Sequence, residues 1–296
     1  SRGLGDVYKR QAESSFALSP DARSIAFVRG GRSGADLVVR GLADQKETIV
    51  AHDGSSIASV GWSPDGRHLS YSAGANSIRH EQTPEYSGAK IIYTITERTP
   101  SQAYVIAAGG GTPVAIGAPG GGALRWLDNA RVVFDRTSAD FKTRTNAVAD
   151  IATGAVRTAR EDVDEKFWSI TGDAGAGLLP SPDGKWLAVV SDRDGWDHIY
   201  VAPAAGGAWV QITKGRFEAW RPSWSPDSTR IAFDANEPDR PGTRQVGIAS
   251  IVSAGGTNPA TATITMITSG RGTNIAPQWS PDGSRLVYQH TDPQNS

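Results

Sequence analysis

Three short stretches together present carboxylates, arginines and aromatics, the residue types of a binding surface: Asp162 to Trp168 (DVDEKFW), Phe217 to Arg221 (FEAWR) and Arg271 to Asn274 (RGTN). Asp164, Glu165, Phe167, Trp168, Glu218, Trp220, Arg221, Arg271 and Asn274 are therefore candidate contacts for a peptide substrate or a protein partner. Carboxylates take up ammonium groups, guanidiniums fork onto carboxylates, and aromatic rings supply flat apolar area. The same residue types also serve as salt bridges between neighbouring sheets with solvated rims, and both readings stay open at this stage.

Other constellations fail their own chemical requirements. Serine hydrolysis on an α/β-hydrolase scaffold needs a G-x-S-x-G elbow between strand and helix. None occurs, and Gly31-Arg32-Ser33-Gly34-Ala35 has the wrong spacing and lies in an expected hairpin turn. The histidines His52, His68, His80, His198 and His290 are scattered, without metal-ligand spacing, and are expected at the surface or at strand edges. Asp192-Arg193-Asp194-Gly195-Trp196-Asp197 lacks the spaced oxygens and terminal Glu of a calcium loop and reads as a hydrogen-bonded turn. Gly109-Gly110-Gly111 and Gly120-Gly121-Gly122 precede strands rather than helices, so neither is a phosphate cradle. No catalytic residue, metal ligand or cofactor site is assigned.

Composition narrows the partners. The 30 Lys and Arg balance 31 Asp and Glu, with no charged run, so nucleic acid or a membrane surface has no electrostatic support. There is no cysteine, which removes disulfides and thiol chemistry. No apolar stretch approaches the roughly 18 residues of a membrane-spanning helix.

The elements that must position the candidate stretches come from a repeat. Ser-Pro-Asp recurs at 19–21, 63–65, 181–183, 225–227 and 280–282. Leu18, Trp62, Pro180, Trp224 or Trp279 precedes each copy, and an alternating apolar pair follows: Ile25/Phe27, Leu69/Tyr71, Leu187/Val189, Ile231/Phe233 and Leu286/Tyr288. A worn sixth copy runs from Trp126 to Ala130, with Val132 and Phe134 one residue early. Spacings of 44 to 64 residues predict an all-β chain, a β-propeller of four-stranded antiparallel blades. Blades are expected to start near 14, 57, 121, 176, 219 and 274, in a single domain over 12–296 whose final blade is incomplete.

Each Ser-Pro-Asp should turn the innermost strand A into strand B, with the Asp structural and Trp62, Trp224 and Trp279 packed between blades. In a meander the A–B and C–D turns share one face of the disc, and the B–C and D–A connections share the other. Insertions fall chiefly in B–C (72–90, 136–144, 235–244) and D–A (160–177), with 253–262 a C–D exception, so the B–C/D–A face is the expected binding surface. Ser1 to Gln11 fits no repeat and reads as a non-native or disordered leader. At the other end, the last blade is expected to present an open edge along 285–289.

The frame W-SPDG-x-x-I-x-F, with SDRDG, IYV, GG and QIT after it, resembles the TolB-like propeller repeat. SDRDGWDHIYV, FEAWRPSWSPDS, RGTNIAPQWSPDG and YQHTDPQNS further resemble the propeller half of bacterial prolyl-oligopeptidase-family serine peptidases, including their dipeptidyl-peptidase-like branch. That resemblance implies a propeller that gates and binds peptides, followed by a C-terminal α/β-hydrolase domain that carries a Ser-Asp-His triad. It favours a periplasmic or secreted protein and implies that this chain alone is inactive. The paired glutamates with which the dipeptidyl-peptidase branch holds a substrate amino terminus find no match. Glu218 stands alone, and Asp164-Glu165 is a loose analogue. A non-enzymatic TolB-like interaction propeller is the alternative.

Overall fold

The computed structural model describes residues 13–292 other than 32, 75, 83–84, 87–88, 91–92, 139, 164–176, 238–239 and 254–258. The leader 1–11 lies outside them. Strands β1 (Glu13–Leu18), β2 (Ser24–Gly31), β3 (Gly34–Gly41) and β4 (Glu47–Asp53) form an antiparallel meander. The second sheet begins with β5 (Ile57–Trp62) and β6 (His68–Ala73). A ribbon follows: β7 (Asn76–Gln82), the hairpin β8 (Glu85–Tyr86) and β9 (Ala89–Lys90), then β10 (Tyr93–Thr99), which pairs back on β7. β11 (Gln102–Ala107) and β12 (Val114–Ile116) complete the second sheet.

The third sheet is β13 (Arg125–Trp126), β14 (Arg131–Thr137), β15 (Thr143–Asp150) and β16 (Val156–Val163). The fourth is β17 (Leu179–Pro180), β18 (Trp186–Ser191), β19 (His198–Pro203) and β20 (Val210–Gln211). The fifth is β21 (Ala219–Trp224), β22 (Arg230–Glu237), β23 (Arg240–Ser253) and β24 (Pro259–Met266). β25 (Thr273–Trp279) and β26 (Leu286–Thr291) pair last. Among the described residues β26 has no other partner, and its Val287 is 69% exposed. The architecture is an all-β propeller of four-stranded antiparallel sheets, as the repeat predicts.

Each Ser-Pro-Asp is a hydrogen-bonded cassette. The Ser hydroxyl donates to the Asp Oδ1 at 2.5 to 2.7 Å in all five copies. It also accepts the N–H five residues on, from Ser24, His68, Trp186, Arg230 or Arg285. The Asp Oδ1 accepts a second N–H, from Arg23, Arg67, Lys185, Thr229 or Ser284. The fourth turn residue adopts positive φ, which glycine accepts freely at Gly66, Gly184 and Gly283, whereas Ala22 and Ser228 adopt it at +55° and +60°. These bonds hold all five carboxyls below the usual carboxylate range, Asp227 and Asp282 at about 2.

The tryptophans before the cassettes tie each sheet to its predecessor. Trp62 Nε1 donates to Ala17 O, Trp224 Nε1 to Leu179 O and Trp279 Nε1 to Ser223 O, at 2.9 to 3.1 Å. Each acceptor lies two residues before the preceding cassette's Ser. One end of the chain's repeat thus anchors the ring to a backbone carbonyl while its face fills apolar space.

The chain divides into two compact units, Ser1–Arg136 with Val148–Arg157, and Thr137–Ala147 with Thr158–Ser296. In the first, Ala26, Val28, Leu37, Leu69, Tyr71 and Ile106 pack together. In the second, Val190, Ile199, Val201, Trp224, Ile231 and Phe233 do so. Strand β18 is buried along its whole length, consistent with a run of apolar residues rather than an alternation.

The B–C insertions differ from the expected open loops. The β22–β23 ladder runs on through Ala235 opposite Gln245 as far as Glu237 opposite Arg240, and β14 and β15 take up both ends of 136–144. Between those ends Ser138 donates to Asp140 and accepts Thr143 N–H, a further copy of the cassette. The 72–90 insertion ends β6 and enters the β7–β10 ribbon, whose outer pair joins Asn76–Gln82 to Tyr93–Thr99. Backbone pairing, not apolar alternation, sustains these extensions, so their sequences carry only a weak strand signal.

Candidate functional site

The B–C and D–A ends of the fourth to sixth sheets gather most of the candidate residues within one compact unit. Side chains at the start of the C strands clasp the D–A turns. On β19, His198 is fully enclosed, with Nδ1 3.0 Å from Thr213 Oγ1 and Nε2 3.1 Å from Gly215 O. A carbonyl only accepts, so Nε2 carries the proton. Thr213 Oγ1 also accepts the Ile199 N–H at 2.9 Å, so one hydroxyl ties both the ring and the backbone of the β19 start to the D–A turn. The expected surface or edge placement of His198 is corrected: the ring is buried because both nitrogens are satisfied locally.

Gln245 does the same work on β23. Its Oε1 accepts from Thr268 Oγ1 (2.7 Å) and Asn274 Nδ2 (2.9 Å), and its Nε2 donates to Gly270 O and Gly272 O. Asn274 Oδ1 in turn accepts from His290 Nδ1 at 2.8 Å.

A bulge shapes the A strands. In β1, β5, β21 and β25 the pairing register shifts by one residue, and Ser15, Ser59, Arg221 and Ala276 adopt positive φ within the shift. Each lies four residues before a cassette Ser. The bulge at Arg221 accompanies an ion pair with Asp234 on β22 (Nη1–Oδ2 3.1 Å). Asp234 is fully buried and also accepts the Ala276 N–H at 3.1 Å, with Arg244 Nη1 3.6 Å away. Burial pushes the Asp234 carboxyl up, against the pull of that N–H and the two guanidiniums.

Trp220 is buried, donates Nε1 to Asp197 Oδ2 at 2.8 Å, and lies beneath the Arg244 guanidinium, 4.1 Å from the ring centre. Burial raises the Asp197 carboxyl; burial and then the Asp197 charge raise Glu218. The Glu218 backbone is pinned by Asn236, whose Oδ1 accepts Glu218 N–H at 2.6 Å. The result is a half-buried acidic pair beside an arginine-capped aromatic wall. Such a surface can take up a cationic or hydrogen-bond-donating group of a ligand.

The sequence candidates separate accordingly. Glu218 is half-buried and Arg271 exposed. Trp220, Arg221 and Asn274 are engaged within the protein, as just described. Asp164, Glu165, Phe167 and Trp168 lie outside the described residues. Sequence reasoning missed Asp197, Asp234, Arg244, His198 and Gln245. Asp234 had a readable signal, a lone carboxylate inside the apolar strand run IAFDA. Gln245 and His198 had none beyond their place at the head of an apolar strand.

Comparison with known proteins places these features in a class. Over 92% of its length the chain superimposes on 41% of the crystal structure of Porphyromonas gingivalis dipeptidyl peptidase 4, with a TM-score of 0.66 at 16% identity, which shows the propeller fold. Residues 122–294 match the dipeptidyl peptidase IV (DPP IV) N-terminal region, and the chain belongs to that family. A TolB homolog of Chlorobium luteolum is 29% identical over 136 residues, covering 36% of this chain and 31% of that protein. The Agrobacterium fabrum protein Atu1656 is 32% identical over 111 residues, 36% of this chain and 37% of its own length. The chain thus spans about a third of the length of the curated relatives it matches.

Proposed function

We propose that this chain is the substrate-gating and peptide-binding propeller of a prolyl-oligopeptidase-family serine peptidase, whose catalytic α/β-hydrolase domain is not in this sequence. The membership of residues 122–294 in the DPP IV N-terminal region family carries the reading. The half-buried Asp197–Glu218 pair supports it, since it lies at the B–C/D–A ends where a peptide path is expected. No residue is assigned to bond cleavage. The propeller selects and orients peptide, and peptidase activity belongs to the parent protein.

The test is binding without turnover. The purified chain is expected to bind short peptides, more weakly after Glu218→Gln, and to show neither ester hydrolysis nor fluorophosphonate labelling. Stoichiometric labelling of one serine would sink the reading. The similarity to a TolB homolog favours a second reading, a propeller that docks folded proteins. Capture of a folded partner, unaffected by Glu218→Gln and with no peptide binding, would favour that one.

A further inference from the structure

A second cluster lies at the B–C/D–A end of the third and fourth sheets, separate from the acidic pair. Arg160 on β16 is almost fully buried and contacts both Asp162 and Ser191 Oγ, the latter at 2.8 Å. Arg193, in the turn after β18, reaches the same two residues, with Nη2 3.4 Å from Asp162 Oδ1 and Nε 3.4 Å from Ser191 Oγ. Two guanidiniums thus share one carboxylate and one hydroxyl. Arg144, at the head of β15, adds a third positive charge that opposes that of Arg160. Among the described residues Asp162 is the only carboxylate that pairs with either Arg160 or Arg193.

Among the described residues, two further features fit a cluster that holds more positive than negative charge. Arg160 Nε is buried and has no hydrogen-bond partner among the described residues. Burial and the charges of Arg193 and Arg144 also weaken the Arg160 proton affinity despite Asp162. The guanidinium planes are held by aromatic neighbours: Arg160 lies 5.7 Å from the Trp209 ring centre and Arg193 4.5 Å from that of Tyr200. Stacking fixes a fork before any ligand arrives, which lowers the ordering cost of binding. Arg193 is about one-third exposed, so one fork faces solvent.

We propose that Arg160 and Arg193, with the positive charge of Arg144 in electrostatic range, form an oxyanion-binding site that takes a carboxylate or phosphate group of a ligand. Its anion supplies the charge that Asp162 alone does not. The inference does not depend on peptidase membership, because binding of an anion to the chain is measured without any hydrolysis.

The experiment is calorimetric titration of the full chain with sodium phosphate and with sodium acetate, ionic strength being held constant with chloride. Saturable binding of either anion is expected, with affinity reduced about ten-fold in Arg193→Gln and in Arg144→Gln, as loss of one charged hydrogen-bonding group implies. Preference for phosphate or for acetate distinguishes the two ligand sources. Asp162→Asn is expected to tighten binding, since it removes the competing carboxylate. The double variant Asp164→Asn/Glu165→Gln is expected to leave affinity unchanged. Tighter binding in that variant would mean that the chain's own carboxylates fill the site, which overturns the proposal. So would no saturable binding in the unaltered chain, or unchanged affinity in both arginine variants.

Discussion

The two ends of the same strands treat their carboxylates in opposite ways. At the A–B turns the Asp residues are repeated, solvated and held low by a Ser hydroxyl and backbone N–H groups. At the B–C/D–A ends of the second unit, Asp197, Glu218 and Asp234 occur once each, are withdrawn from water, and are pushed up by burial. Repetition with local hydrogen bonding marks an acid that shapes the backbone. Burial without repetition marks one whose cost must be met by a neighbouring charge or by a ligand.

The sharpest way to break this contrast is at Asp234. Its removal leaves Arg221 and Arg244 without the carboxylate between them and the Ala276 N–H without its acceptor. Asp234→Ala is expected to destabilise the chain by about 3 kcal/mol, the scale for removing one partner of a buried pair. Urea denaturation measures it, and a loss below about 0.5 kcal/mol, the range of an ordinary surface change, would remove Asp234 from the buried acids. A smaller effect is expected at a cassette. Ser181 is buried and makes two hydrogen bonds through one hydroxyl. Ser181→Ala should cost about 1 to 2 kcal/mol, with the first exposure of amides in β18 by hydrogen exchange.

The smallest effect is on pH dependence, and its sign separates the two ends. A depressed folded-state pKa adds stability above the unfolded value, which is lost as pH falls toward about 2 for Asp227. A raised one, as for Glu218, favours the folded state below the unfolded value and is lost as pH rises through the folded value. Asp227→Asn should therefore flatten the acid limb of stability against pH, and Glu218→Gln the limb above the usual glutamate pKa. Urea midpoints from about pH 2 to about pH 8 report both. Identical profiles for the two variants would dissolve the distinction.

Legibility follows the same division. The cassettes, the tryptophan anchors and the strand order were readable because each rests on contacts within a few residues or on a frame repeated along the chain. Glu218 was readable as a candidate because it stands in a short stretch of mixed chemistry. Its partner Asp197 reads in sequence as part of a turn, since only the packing of β19 near β21, with Ala219 N–H donating to Asp197 O, brings the two carboxyls into electrostatic contact. For Arg221 the sequence leaves ligand contact and salt bridge open, and a bulge and a buried acid on the next strand make it the salt bridge. Such pairings depend on register across strands, which no local motif encodes.

The bulges four residues before the cassettes give β1, β5, β21 and β25 two independent halves. Downstream of Arg221 or Ala276, the residues up to Trp224 or Trp279 keep one fixed frame and lock the sheet to its neighbour. Upstream, the extra residue resets which side chains face which way, so Glu218–Trp220 and Thr273–Ile275 vary without disturbing that lock. A strand built this way is modular: recognition can be rewritten at one end while the scaffold at the other stays constant. The narrow joint between the halves, a single left-handed residue, is what allows one repeated unit to carry unlike surfaces.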